Sequence, residues 1–267
     1  MSLQIDTIAY TNRLRKLPPA HKVGFAIVLL LLTYSSQASV QLLITVWMSI
    51  WTVVYAGVSA TLYLRLLFIP VAFWITSLPA FVINGVERAQ QGLVQEDVWQ
   101  GIAWGNFYWF LSHEGMQQAG ELGRQTIAAT ACIYFVMLTV PFTELIEILR
   151  CMGCPVLLTD LFMIMYRFIF VLLRTANELW IAQQARNGYR TRQRWIISLG
   201  LLVGQLLRRT LENYRQMSLS LDSRGFSGEF RVCHSRRYVP SKRYSLEAGL
   251  GCLGLVGLVG WHYVVGI

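Results

Sequence analysis

Between Val23 and Leu64 the chain contains no Asp, Glu, Lys or Arg. Three further charge-free runs cover Leu66–Val86, Gln125–Thr143 and Ala248–Ile267. About 20 apolar residues cross the hydrocarbon core of a bilayer as a helix. Each of the last three runs therefore matches one crossing, and the first matches two if it folds back at the polar "TYSSQAS", residues 33–39. Backbone polar groups in lipid must be satisfied within their own segment, which makes such crossings helical. With 55% hydrophobic and 14% charged residues, the chain is too apolar for an ordinary water-soluble domain. The expectation is an all-α, polytopic integral membrane protein with about five spans. The N-terminal "MSLQIDTIAYTNRLRKLPPAHK" is polar for too long, and lacks the small-residue cleavage site, to read as a signal peptide.

The placement of charge predicts the orientation. Arg13, Arg15, Lys16 and Lys22 precede the first span, and thirteen more basic residues lie between Arg186 and Arg243 against three acids, Glu212, Asp222 and Glu229. Basic flanks stay in the cytoplasm. Residues 85–123 carry Glu87, Glu96, Asp97, Glu114 and Glu121 and suit the outer side. The expected organisation is a cytoplasmic segment 1–22, a membrane domain 23–143 with an outer interfacial segment 85–123, a cytoplasmic helical module 144–244, and a last span 245–267. The N-terminus lies inside and the C-terminus outside the plasma (inner) membrane. The net charge of +9 is then largely topological, and nucleic acid is not an expected partner, because the basic residues interrupt apolar helix rather than forming a soluble patch.

Within this frame, "VWQGIAWGNFYWFLSH", residues 98–113, is dense in aromatic rings that favour the headgroup boundary and reads as an interfacial or re-entrant helix. Pro70 and Pro79 are expected to kink the third span. After Pro141, Thr143 reads as a helix N-cap with Glu144 in the first turn, and Gly153 and Pro155 close that helix and open the next. Cys151 and Cys154 flank this turn, where the reading is incidental thiols rather than a redox or metal pair. Residues 155–186 are helical but broken as a span by Asp160, Arg167, Arg174 and Glu178, with Arg174 and Glu178 at pairing distance along a helix. A second long helix runs from about Trp195 to Arg224, apolar first and charged later. In the last span Gly251, Gly254, Gly257 and Gly260 recur every three residues, a small-residue groove for helix packing, within the chain or against a partner.

Each long helix ends in a similar phrase, "QQARNGYR" (183–190) and "LDSRGFSG" (221–228). Gly188 and Gly225 can take the left-handed conformation that ends a helix, and Arg186 and Arg224 then emerge from the last turn, where the dipole favours a cation. Two such arginines suggest a docking device. The chain has no phosphate-binding G-x-x-x-x-G-K-[ST] loop, no spacing that marks a metal site or a nucleophile, and few ionisable groups in its first four spans. No catalytic residue, metal ligand or cofactor is expected.

At these residues the chain resembles the transmembrane T component of energy-coupling factor transporters, in the cobalt/nickel, CbiQ-type branch. The resemblance runs through "IDTIAYTNRLRKLPPAHK", "PFTELIEILRCMGCPVLLTDLFMIMYRFIFVLLRTANELWIAQQAR" and "LDSRGFSGEF". It implies that two Ala-Arg-Gly-type signatures, here Ala185, Arg186, Gly188 and Ser223, Arg224, Gly225, end coupling helices whose arginines enter grooves on two ABC-type ATPase subunits. Asn187 separates Arg186 from Gly188, and Ser223 replaces the usual Ala. It also implies a separate membrane-embedded substrate-binding (S) subunit for cobalt or nickel, seated on the apolar faces of 155–182 and 195–207, with membrane lipid around the whole. Two other readings stand behind it: a membrane-bound enzyme with an anion site between Arg186 and Arg243, and a self-sufficient channel or permease.

Overall fold

A computed structural model describes residues 2–87, 98–104, 107–225, 238 and 242–265, with backbone alone at 2–6, 84–87, 98–104, 107–110, 242 and 262–265. The aromatic side chains at 98–110, Cys233 and the basic residues of 226–237 lie outside the described residues. The element order is α1 (Ser2–Thr11), a 3-10 turn (Arg13–Lys16), α2 (Pro19–Ser35), α3 (Ala38–Ile50), a π-helical turn (Trp51–Tyr55), α4 (Ala60–Val82), β1 (Ile83–Glu87), β2 (Val98–Trp104), β3 (Phe107–Ser112), α5 (His113–Thr139), α6 (Phe142–Cys151), α7 (Val156–Ala185), α8 (Arg192–Ser223) and α9 (Lys242–Val265). The fold is all-α and polytopic, with one small sheet. Two compact units divide it, Met1–Glu144 with Arg236–Ile267, and Leu145–Ser235.

The first unit is built around α5, which packs against α1, α2, α3 and α4, while α9 packs against α2 and α3. Leu29, Ile44, Met48, Phe135 and Leu138 are fully buried at its centre. The fold-back expected at residues 33–39 is present: α2 stops at Ser35, α3 starts at Ala38, and the Gln41 side-chain amide donates to the carbonyls of Thr33 (3.2 Å) and Ser36 (3.0 Å). Helix-end carbonyls have no partner within the helix, and here one side chain of the following helix serves two of them.

Close approach between α4 and α5 depends on small residues. A Cβ built on Gly115 would lie 2.2 Å from the Phe81 carbonyl oxygen, and one on Gly123 would lie 2.4 Å from the Trp74 ring. The Trp74 indole N–H donates to the Ala119 carbonyl at 2.8 Å. Backbone cannot yield as a side-chain tip can, so we expect Gly115→Val to destabilise the full chain by about 3 kcal/mol, at the upper end of ordinary overpacking. The check is its thermal unfolding midpoint in detergent, compared with Gly120→Ala, where the nearest atom to a new Cβ is the tip of Arg124 at 3.4 Å.

Several local expectations are corrected. Residues 98–104 and 107–112 form strands, not an interfacial or re-entrant helix: β1, β3 and β2 pair antiparallel in that order, with Ile83 opposite Leu111 and Trp104 opposite Phe107. Aromatic and β-branched residues fit a pleated surface, and Gly101 weakens the helical alternative. α5 then begins at His113, its N-cap Ser112 accepting from the Gly115 N–H at 2.8 Å. α6 starts at Phe142, so Thr143 lies inside the first turn rather than capping it; its hydroxyl is engaged instead with Tyr10 at 3.1 Å. Separately, α4 keeps both Pro70 and Pro79 inside one helix, which is compatible with the kinks expected there.

Among the described residues five helices are long and apolar enough to cross a membrane: Ala38–Tyr55, Ala60–Val82, His113–Thr139, Val156–Ala185 and Arg243–Trp261. The count matches the expectation of about five spans. α2, at 17 residues, is a shorter apolar helix beside these five, at the lower end of the length that can cross. α7, expected to be disqualified by its charges, qualifies, because Asp160, Arg167, Arg174 and Glu178 are spread thinly enough to leave a long apolar stretch between few charges.

Candidate functional site

The second unit holds α7 and α8, which pack against each other, and its helix ends share one construction. α6 closes with Gly153 at φ 94°; the Cys154 N–H donates to the Leu149 carbonyl (3.1 Å) and the Gly153 N–H to that of Arg150 (3.2 Å). This pair of bonds satisfies carbonyls a helix end would otherwise leave bare. Cys151 and Cys154, both free thiols, flank that turn, and Pro155 then caps α7 as expected, its carbonyl accepting from the Leu158 N–H at 3.0 Å.

α7 ends the same way. The Gly188 N–H donates to the Gln183 carbonyl at 2.9 Å and the Asn187 N–H to that of Gln184 at 3.0 Å. The left-handed residue is Asn187, at φ 56°, and not Gly188, whose φ is not positive. Asn tolerates this region better than other residues with a Cβ because its short polar side chain bonds locally. Gly188 is required for a different reason: its added Cβ would lie 2.7 Å from the Ser198 hydroxyl, which donates to the Gly188 carbonyl at 2.9 Å. Tyr189 stacks on Trp180 with ring centroids 4.2 Å apart, and its hydroxyl bonds the Gln183 side chain. The turn after α7 is thus pinned to both helices.

At the end of α8, Gly225 has φ 66° and its N–H donates to the Asp222 carbonyl at 3.1 Å. The two arginines therefore occupy one structural position. Arg186 (φ −93°, ψ 16°) and Arg224 (φ −96°, ψ 7°) are each the C-cap residue, immediately before a left-handed one. Asn187 is the counterpart of Gly225. Ala185 and Ser223 are the last helical residues, and all four side chains are exposed. Among the described residues neither arginine makes an ion pair. Ser198, which touches Gly188, precedes Arg224 by 26 residues on α8, so at 1.5 Å per residue the two arginines stand on the order of 40 Å apart.

Because Asn187 supplies a backbone conformation, Asn187→Gly should leave the unfolding midpoint and the function of the chain nearly unchanged. Asn187→Val should strain the turn by roughly 1–2 kcal/mol, read as a lowered midpoint in the full chain.

Little of the surface of this unit is covered by the chain itself. Among the described residues Thr159 is the buried residue of α7 and Ser198 that of α8, while Leu157 is 82% exposed and Ile196 65%. The Arg174–Glu178 pair forms at 3.3 Å, with Arg209 of α8 3.7 Å from the same carboxylate, but exposed pairs like these contribute little. In α9, Gly251 meets Trp47 of α3 at 2.7 Å from an added Cβ, whereas Gly254, Gly257 and Gly260 face open space.

Two polar residues, Asn12 and Lys22, organise the far end of α5 through contacts that no local pattern announces. The Asn12 side-chain amide donates to the carbonyls of Ala9 (2.9 Å), Leu138 (3.2 Å) and Thr139 (3.1 Å), and the Lys22 ammonium donates to Thr139 at 3.0 Å. Both side chains are buried.

These features define a polytopic membrane protein whose second unit presents two matched arginine-tipped helix ends and a broad apolar surface. The chain belongs to the CbiQ family, described as cobalt transport protein, whose model matches residues 11–234. It is 26% identical over 231 residues to a cobalt transport protein CbiQ of Salmonella typhimurium, covering 85% of this chain and 99% of that one. It is 29% identical to one of Rhodobacter capsulatus, over 87% of this chain and 88% of that one. A putative fused cobalt transport protein CbiMQ of Methanocorpusculum labreanum is 30% identical over 84% of this chain, which corresponds to 36% of the fused protein.

Proposed function

We propose that this chain is the non-catalytic coupling (T) subunit of an ATP-driven importer of cobalt or nickel. Two ABC-type ATPase subunits grip Arg186 and Arg224, one each, and a membrane-embedded substrate-binding subunit lies against the apolar faces of α7 and the first half of α8. The observation that carries this reading is the pair of arginines in the same C-cap geometry, exposed and on the order of 40 Å apart along α8. That separation suits two gripping sites and is too wide for the single anion site of an enzyme acting on a phosphorylated lipid.

The supporting physics is direct. A guanidinium stays charged and offers several N–H donors in a fixed fork, and a C-cap position with bonded carbonyls gives it a stiff base, so motion imposed at the tip is passed to the helix. The fused CbiMQ relative, in which the part matching this chain is about a third of the protein, supports a membrane partner held close to the family fold. In this reading the basic stretch 186–243 and the N-terminus face the cytoplasm, and the C-terminus lies outside.

The test is affinity purification of the tagged chain from cells expressing its transport partners. The wild-type chain should bring down ATPase subunits, and the double variant Arg186→Glu, Arg224→Glu should lose them. Retention of the ATPases by that variant, at normal membrane abundance, would overturn the proposal.

A further inference from the structure

One end of the first unit contains a cavity of about 270 Å³, walled by the rings of Phe25, Trp51, Phe135 and Tyr244. The starts of α2 and α9 and the ends of α3 and α5 meet there. His21, Lys22 and Ser245 also line it, as do Gly24 and Ala248. The rings form a contiguous cluster, with Phe25–Trp51 centroids at 5.1 Å and Trp51–Tyr244 at 6.3 Å. Trp51 is 3% exposed, yet its indole N–H has no hydrogen-bond acceptor among the described residues. Trp51 also opens the π-helical turn, a feature that tends to mark functional positions.

Charge narrows the occupant. Arg13, Arg15, Lys16 and Lys22 precede or open α2 and Arg243 opens α9, against the described acids Glu144 and Glu247 at this end; the latter is paired with Arg243 at 2.9 Å. The other end of α5 carries Glu114 and Glu121 instead. In a membrane-spanning unit a basic helix-bundle end lies at the headgroup level, where it attracts anionic lipid. An aromatic-walled, largely apolar cavity beside a basic helix-bundle end fits a hydrocarbon tail with a charged head.

We propose that this cavity holds the headgroup-proximal part of one acyl chain of an anionic phospholipid, its phosphate at the rim formed by His21 and the start of α9. The inference does not depend on the coupling role. A Cβ added at Gly24 meets nothing within 4 Å, so a longer side chain there can narrow the cavity without displacing a neighbour; Ala248 lines it from α9.

The experiment uses the full chain in a neutral detergent, with palmitoyl-oleoyl-phosphatidylglycerol or palmitoyl-oleoyl-phosphatidylcholine added and retained lipid counted by native mass spectrometry. The wild type should retain one phosphatidylglycerol at least tenfold more tightly than phosphatidylcholine. Gly24→Leu and Ala248→Phe should each weaken that binding at least tenfold, and Arg243→Gln should shrink the preference between the two lipids about threefold. Equal retention of both lipids by the wild type, or undiminished phosphatidylglycerol binding by a folded Gly24→Leu chain, would overturn the proposal. Occupation of the cavity by a protein segment predicts the second of these results.

Discussion

Cells carrying the double variant Arg186→Glu, Arg224→Glu are expected to lose cobalt or nickel uptake by at least 100-fold, with the protein still present in the membrane at wild-type abundance. The magnitude follows from the docking role proposed for each tip. Truncating one partner of a buried, hydrogen-bonded charge pair at an interface costs about 2–5 kcal/mol, and every 1.4 kcal/mol is tenfold in affinity. A single reversal therefore weakens one grip by roughly 30-fold or more, and the double variant weakens both. Folding should be spared, because both side chains are exposed and the carbonyls of each helix end are bonded by backbone N–H groups rather than by the guanidinium. Arg→Lys at either site should fall between, since the charge remains while the planar fork is lost. The comparison separates docking from a general need for positive charge: a basic anion site would accept lysine with little loss.

The second large effect is on stability and concerns Asn12 and Lys22. α5 stops at Thr139, and Pro141, having no N–H, cannot continue its ladder. The carbonyls of Leu138 and Thr139 are then served by side chains from the N-terminal segment, the Asn12 amide at 3.2 and 3.1 Å and the Lys22 ammonium at 3.0 Å. A cation at the C-terminal end of a helix also opposes the dipole. A buried polar group that loses its partner costs about 1–3 kcal/mol, so Asn12→Leu, which removes the donor to both carbonyls, should destabilise the chain by roughly 2–6 kcal/mol. Lys22→Met should cost at least 1.5–3 kcal/mol, the worth of a hydrogen bond to a charged group. Asn12→Asp has the same shape and no N–H, and should behave like Asn12→Leu in a thermal unfolding series. A wild-type midpoint for Asn12→Asp would mean that packing, not hydrogen bonding, accounts for the site.

The sequence carried the all-α membrane class, the family and the fold-back at residues 33–39 because these rest on long runs of uncharged residues and on local signatures. It carried the closing of α6 at Gly153 and the opening of α7 at Pro155 for the same reason. What it hid depended on competition between near-equal local choices or on distant contacts. The aromatic run at 98–112 suits a helix at the headgroup boundary as well as a pleated strand; Gly105–Asn106, a dipeptide typical of two-residue hairpin connections, was the available signal. Glycine is the default left-handed residue, which points to Gly188 at the end of α7, yet Asn187 takes that role, and Gly188 is needed for its approach to Ser198, ten residues away. Asn12 and Lys22 bond to residues 117–127 positions distant, and nothing in a local pattern announces that. α7 meets the length and composition of a span although four charges interrupt it, because their spacing leaves apolar stretches between them.

The most direct measurement on the coupling account is site-specific photo-crosslinking in cells, with a photoreactive residue in place of Arg224 or, in a second strain, of Arg186. Each position should yield an adduct with an ATPase subunit, and a chain with a photoreactive residue at both should carry two. Crosslinks from either position only to lipid, or to nothing, would contradict it.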